Sequence, residues 1–175
     1  MAENVYYLDG YFGHDDAIPP GIFRKMSDCN HEKRITSLLQ TISPPHPNIV
    51  KILSITNECI DMEKVDVPIN ETKDFIHLDK FQFVETAKYI KAYLQSHGIV
   101  YIDWKLDNFG IMADGTIKLF DFDASGWIDT DGQWLLHAPI SHNYNAAWKK
   151  GYVTPIEIDD YCFSRFIEEY LSYYD

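Results

Sequence analysis

Along residues 80–96, Phe83, Ala87, Ile90 and Leu94 recur three or four positions apart, so one face of a helix is apolar, and Gly98 ends it. The same spacing of Ile35, Leu38, Leu39 and Ile42 predicts a helix over about residues 29–42, capped by Ser27 or Asp28 and stopped by Pro44 and Pro45. A last helix covers about 157–173, with Ile158, Tyr161, Phe163, Phe166, Ile167, Tyr170, Leu171 and Tyr173 on more than one of its faces. Shorter apolar runs read as strands. Residues 4–26 carry two, broken by Gly10, Gly13 and the Pro19-Pro20-Gly21 turn. Ile49–Ile55 and Cys59–Val65 flank a Thr-Asn-Glu turn, and Phe109–Met112 and Ile117–Phe122 flank Ala113-Asp-Gly-Thr116 as a hairpin. Residues 66–79, polar and Pro-containing, read as a linker, and 124–156 show no clear period and read as a long loop. The pattern is that of an α+β chain with a boundary near residue 66.

Composition narrows the class. At 175 residues, 46% hydrophobic and 15% aromatic, the chain can bury one sizeable core or two small lobes packed together. Its formal charge of −12 repels phosphate backbones and anionic bilayers, which argues against nucleic acid or a membrane surface as the main partner. Cys29, Cys59 and Cys162 are scattered, which suggests neither a disulfide framework nor a zinc site. No basic-then-apolar leader and no run of eighteen apolar residues is present, so an intracellular, cytoplasmic protein is expected.

The chemistry concentrates in Tyr101-Ile-Asp-Trp-Lys-Leu-Asp-Asn108 and Lys118-Leu-Phe-Asp-Phe-Asp123. Asp103 can accept the proton of an attacking hydroxyl, Lys105 can neutralise a γ-phosphate, and Asn108 with Asp121 can hold Mg²⁺ against phosphate oxygens. The hairpin turn brings Asn108 and Asp121 to the ends of neighbouring strands.

With these motifs the chain resembles a protein kinase of the eukaryotic type, reduced in size. Tyr101-Ile102-Asp103 stands where the family has His-Arg-Asp, Lys105 and Asn108 match its catalytic loop, and Asp121-Phe122-Asp123 matches Asp-Phe-Gly but for the last residue. His46-Pro-Asn-Ile-Val-Lys-Ile-Leu53 resembles the lead into the fourth strand, and Ile60–Val65 the strand and hinge that border adenine. The resemblance implies a two-lobed fold: a small ATP-binding lobe over 1–65, with an antiparallel sheet and one helix, and a truncated, mainly helical catalytic lobe over 66–175. It further implies Met62 as gatekeeper, backbone groups from Glu63 to Val65 on the base, and Glu32 as partner of a phosphate-binding lysine. That lysine is Lys25, with Arg24 as the alternative, since only one of two neighbours on a strand can face a cleft. Gly10-Tyr-Phe-Gly13 resembles the closing half of a phosphate loop, Gly151–Pro155 the end of an activation segment, and Asp159 a brace for the catalytic loop.

The departures matter as much. Ile102 replaces the Arg that would receive an activation-loop phosphate. Asp123 replaces a glycine, which limits a loop that often moves, and Gly110 replaces the apolar residue that presses on adenine. Only seven positions separate Lys25 from Glu32, so their pairing requires a helix that starts almost directly after the strand. The family continues beyond the last helix with others that cover it, so a homodimer through that helix, or a protein partner, is expected to do so here. Trp127, Trp134 and Trp148 read as packing residues of the long loop. The function expected is ATP- and Mg²⁺-dependent phosphorylation of Ser or Thr hydroxyls in a protein substrate, with a small-molecule acceptor also open. The alternative is a pseudokinase that binds a partner kinase or another protein and transfers nothing. So compact a version resembles kinase-like proteins of large DNA viruses, which would work in the host-cell cytoplasm.

Overall fold

The computed structural model describes residues 18–27, 30–69 and 79–174. Gly10, Gly13 and the first expected strand lie outside them. Pro19 and Gly21, the latter at φ 82°, turn the chain into β1 (Ile22–Met26), and α1 (Asn30–Thr41) follows. β2 (Ile52–Ile55) and β3 (Cys59–Glu63) complete an antiparallel sheet in the order β1-β3-β2. Its register sets Phe23 opposite Met62, Arg24 opposite Asp61 and Lys25 opposite Ile60. Opposite residues share a face, so Lys25, Ile60 and Met62 lie on one side of the sheet and Arg24 and Asp61 on the other.

The expected linker begins as a strand. β4 (Val67–Ile69) pairs with β6 (Phe109–Ile111), which pairs in turn with β7 (Ile117–Leu119). Alternation in Val-Pro-Ile is too short to announce a strand, and Pro68 belongs on an edge, which is where β4 sits. α2 (Lys80–Ser96) is capped by Asp79, whose carboxylate accepts from the N–H groups of Phe81 and Gln82. Its face of Phe83, Ala87, Ile90 and Leu94 is buried, and His97 and Gly98 at φ 74° end it.

The region read as a long loop is structured instead. β5 (Ile99–Val100) pairs with β8 (Gly126–Ile128), β8 pairs with β9 (Trp134–Leu136), and α3 (His142–Lys149) begins at Ser141 as its cap. Strands of two or three residues are below the length at which alternation shows, and α3 is too short for a periodic stripe. α4 (Pro155–Ser172) opens on a capping box between Thr154 and Glu157, with Pro155 in its first turn.

A large core joins α1, α2, α4 and the later strands, and a smaller cluster of Val50, Ile52, Ile60 and Met62 lies under the first sheet. Phe83, Trp104, Phe109, Phe163, Phe166 and Tyr170 are all buried, with Phe109 stacked on Phe166 at 5.6 Å and Phe83 against Tyr170 at 4.4 Å between ring centroids. The apolar residues that called for an external cover over α4 are therefore largely covered from within. Ile158, Phe163, Phe166 and Tyr170 face the chain's own core, and the exposed large side chains are Leu171 near the end of that helix and Tyr173 at its C-cap.

Candidate functional site

Residues 99–108 descend from α2 and carry the site's centre. Asp103 N–H donates to the Tyr101 carbonyl at 2.8 Å across Ile102, whose φ is 68°. This is a γ-turn in the left-handed region, an uncommon place for a β-branched residue. Asp159 of α4 holds it open: its Oδ1 accepts from Ile102 N at 2.9 Å and Trp104 Nε1 at 2.7 Å, and its Oδ2 from Gln95 Nε2 at 2.9 Å. Asp159 is 1% exposed, and burial pushes its carboxyl above the usual range against those hydrogen bonds. The brace expected at Asp159 is thus the group that shapes the turn before Asp103.

Asp103 meets three donors. Lys105 Nζ lies 2.8 Å and Asn108 Nδ2 3.1 Å from its Oδ2, and Asn143 Nδ2 lies 3.1 Å from its Oδ1. Asn108, 2% exposed, also donates to the Asp103 carbonyl at 2.9 Å, and its position follows from a short 3₁₀ turn at Leu106–Asn108. Burial works to lower the Lys105 ammonium, but its hydrogen bond to Asp103 and the nearby carboxylates outweigh this and raise it.

Across the hairpin, Phe120 N–H donates to Asn108 O at 2.9 Å, and the buried Tyr101 hydroxyl donates to Phe120 O at 2.6 Å. These bonds set the next residue, Asp121, whose φ is 62°. Lys25 Nζ reaches Asp121 Oδ1 at 2.8 Å and Glu32 Oε1 at 2.8 Å, so an unbroken carboxylate–ammonium–carboxylate bridge spans β1, α1 and the segment after β7. Glu32 is 2% exposed, and burial lifts its carboxyl above the ordinary value although Lys25 pulls it down. Burial alone would lower the Lys25 ammonium; the charges of Asp121 and Glu32 more than reverse this. Of the two candidates it is Lys25 that pairs with Glu32, while Arg24 makes a double contact with Asp61 on the opposite face, at 2.7 and 2.9 Å. The short spacing to Glu32 is accommodated because α1 opens at Asn30.

The sheet is tied to the hairpin independently of these charges. Val50 N–H donates to Leu119 O at 3.0 Å, Leu119 N–H to Asn48 O at 2.8 Å, and Asn48 Nδ2 to Ile117 O at 2.8 Å. His31 Nε2 meets the Ser125 carbonyl at 2.7 Å, which joins α1 to the chain just past Asp123. Met62 is buried with Val50, Ile52 and Ile60, and Phe120 packs on this cluster from the hairpin side. It thus shares Lys25's face of the sheet.

Glu63 is occupied: its carboxylate takes Lys118 Nζ at 2.9 Å, and its N–H donates to Lys51 O at 2.9 Å. Lys64 N–H donates to Gly21 O at 3.0 Å, and of the run Glu63 to Val65 it is the Val65 amide that has no acceptor among the described residues. The Val65 side chain lies against Gly110, where a Cβ at 110 would come within 2.7 Å of Val65 Cγ2. The expected bracket residue is absent for a local reason: Val65 already fills its root.

Asp123 does not take a glycine conformation. Among the described residues the non-glycine positive φ values belong to Ile102 and Asp121, so the replacement carries no backbone strain in this state. Asn143 escaped the sequence reading because α3 has no apolar period; a Ser141 cap before it was the available signal. Trp134 and Trp127 pack against the core, while Trp148 is 54% exposed.

No group of three or more His, Cys, Asp or Glu side chains suited to a metal is found among the described residues, and no helix there is long and apolar enough to cross a membrane. Over 124 residues, 68% of this chain, the sequence is 26% identical to germinal center kinase 3 of Caenorhabditis elegans. The match covers 21% of that protein, so the chain spans about a fifth of the length of the curated relative it matches. No family model matches the chain. The similarity to a protein kinase is distant and partial.

Proposed function

We propose that the chain is a phosphotransferase of the protein-kinase kind, which uses ATP and Mg²⁺ to phosphorylate a Ser or Thr hydroxyl of a protein substrate. One observation carries the reading: the Glu32–Lys25–Asp121 bridge stands beside the segment that bears Asp103, Lys105 and Asn108. The distant similarity to germinal center kinase 3 points the same way.

Each residue has a physical task in this scheme. Lys25, oriented by Glu32, offers its ammonium to phosphate oxygens, and Lys105 offers a second positive charge next to Asp103. Asp103 accepts the proton of the acceptor hydroxyl as the new O–P bond forms and the bond between the γ-phosphorus and the bridging oxygen breaks, with ADP as the leaving group. The donor set fits Mg²⁺: Asn108 spends its Nδ2 on Asp103 and keeps its oxygen, and Asp121 spends Oδ1 on Lys25 and keeps Oδ2. Two hard oxygens suffice where phosphates and water supply the remainder, which is why no cluster of three acidic ligands is required. When bound, the ion screens the charge that develops on the phosphate oxygens. Val65 would meet the base through its main chain and form the floor together with Gly110.

The second reading, a partner-binding pseudokinase, draws on that same floor, because Gly110 lacks the apolar side chain that presses on adenine in the family pattern. Thermal melting with ATP, with and without Mg²⁺, separates the two. A ligand at a hundredfold excess over its Kd stabilises by about 2.7 kcal/mol, an easily visible shift. Transfer from radiolabelled ATP should fall at least about a hundredfold in Asp103→Ala. No melting shift, or equal transfer by wild type and variant, would overturn phosphotransfer and leave the pseudokinase.

A further inference from the structure

Asn143 touches the carboxylate that the proposed chemistry uses, from an element unconnected to the sequence motifs. A carboxylate has about four lone-pair sites. On Asp103, Oδ2 receives both Lys105 and Asn108, while Oδ1 receives, among the described residues, Asn143 alone. The open lone pair therefore sits on Oδ1, and the donor that sets its direction is Asn143.

The helix that delivers Asn143 is well anchored. Ser141 Oγ accepts from Tyr144 N at 3.1 Å, Tyr144 and Ala147 are buried, and the Tyr144 hydroxyl meets His137 Nε2 at 3.2 Å. Cys162 Sγ of α4, the helix that also bears Asp159, lies 3.5 Å from the Asn143 carbonyl. Asp103 is thus held from two sides by the same pair of packed helices: Asp159 shapes the turn that precedes it, and Asn143 fixes the carboxylate itself.

We infer that Asn143 is a positioning residue, which turns the free lone pair of Asp103 Oδ1 toward the acceptor hydroxyl. The inference rests on the phosphotransfer reading and deepens it. Lys105 and Asn108 alone leave the carboxylate free to swing about its Oδ2 contacts, and a misplaced base slows transfer without loosening ATP.

The test uses the full chain and three variants: Asn143→Asp, which keeps the shape and loses the donor, Asn143→Ala, and Asn143→Gln, which keeps an amide. With radiolabelled ATP, Mg²⁺ and casein as acceptor, the Asp and Ala variants should lose about tenfold to a hundredfold in kcat. Their KM for ATP should stay within about twofold of wild type, and Asn143→Gln should recover part of kcat. Wild-type kcat in Asn143→Asp and Asn143→Ala, or a loss expressed only in KM for ATP, would overturn the inference. A readout independent of turnover is the Asn143 side-chain amide in ¹⁵N NMR, which should shift and exchange faster with solvent in Asp103→Ala. If wild type transfers nothing, the phosphotransfer reading fails; a coupled amide then still supports Asn143 as the group that holds Asp103, and an amide unmoved by Asp103→Ala removes it.

Discussion

Lys25→Met removes the one ammonium between Glu32 and Asp121, and its cost can be worked from their surroundings. The two contacts are 2.8 Å each, with the Lys25 side chain 28%, Glu32 2% and Asp121 29% exposed. A hydrogen bond to a charged group contributes about 1.5–3 kcal/mol, and breaking a buried pair by removing one partner costs about 3–5 kcal/mol. Lys25 and Asp121 both reach solvent, so the lower end applies, and a loss of about 3 kcal/mol at neutral pH is expected. For a chain of this size that is a fall in Tm of about 6–12 °C. The loss should also depend on pH. Burial already raises the Glu32 carboxyl above its ordinary value, and Lys25 opposes this. Without Lys25 the folded-state value rises further. A carboxyl raised in the folded state binds its proton more tightly there than when unfolded, so stability falls as pH climbs through the interval between the two values. The deficit of the variant relative to wild type should therefore widen as pH rises above the ordinary carboxylate range. Urea unfolding over that rise measures it, and Lys25→Met with Glu32→Gln should recover much of the loss at the upper end. A deficit that is flat in pH, or a double variant no more stable than the single one, would refute the claim that Glu32 is held charged by Lys25.

Asp159→Asn should lower stability by about 2 kcal/mol. The Asn oxygen can serve Ile102 N and Trp104 Nε1, but its NH₂ then faces Gln95 Nε2, a second donor. Asp159→Ala, which strands Ile102 N and Trp104 Nε1 and leaves Gln95 Nε2 only its contact with Asp160 at 3.1 Å, should cost about 3–5 kcal/mol, read as a lower urea midpoint at constant slope. Gly110→Ala should lose about 1–3 kcal/mol by forcing Val65 aside, and adding Val65→Ala should return part of it. If Gly110→Ala melts like wild type, Val65 does not occupy that space.

The sequence carried the long elements and the charged constellation because each has a local signal. Helical spacing placed α2 to the residue and α1 within a residue or so, and the Asp-Gly turn placed β6 beside β7. Lys25 and Arg24 stayed alternatives because alternation on a strand says that neighbours diverge, not which faces inward. Only the pairing with β3 decides, through Asp61 opposite Arg24. The segment 124–156 resisted for a different reason: β8, β9 and α3 are too short for periodicity and are held by tertiary partners. Trp134 closing on Gly126, and Asn143 reaching Asp103 across 40 positions, have no local trace. The last helix looks uncovered when its apolar residues are counted without their partners, which lie in α2, in β6 and in the segment before it.

Two left-handed residues explain why the site needs its buried charges. Ile102 and Asp121 lie in a region that costs a non-glycine residue about 1–3 kcal/mol, and each directly precedes or bears a group with proposed chemistry. At Ile102 the compensation is Asp159, which captures the amide of the strained residue itself. At Asp121 it is Lys25, which captures the side chain and is in turn held by Glu32. The two devices differ in kind: the first is fully buried and belongs to α4, whereas the second is partly open to solvent and belongs to β1 and α1. Under the proposed function, a phosphate oxygen that meets Lys25 would compete with Asp121 for it but would leave Asp159 untouched. Ligand binding should therefore loosen or tighten the Asp121 end while the Asp103 end stays fixed, and amide exchange should register the difference at Asp121 and Phe122 before Ile102 and Trp104.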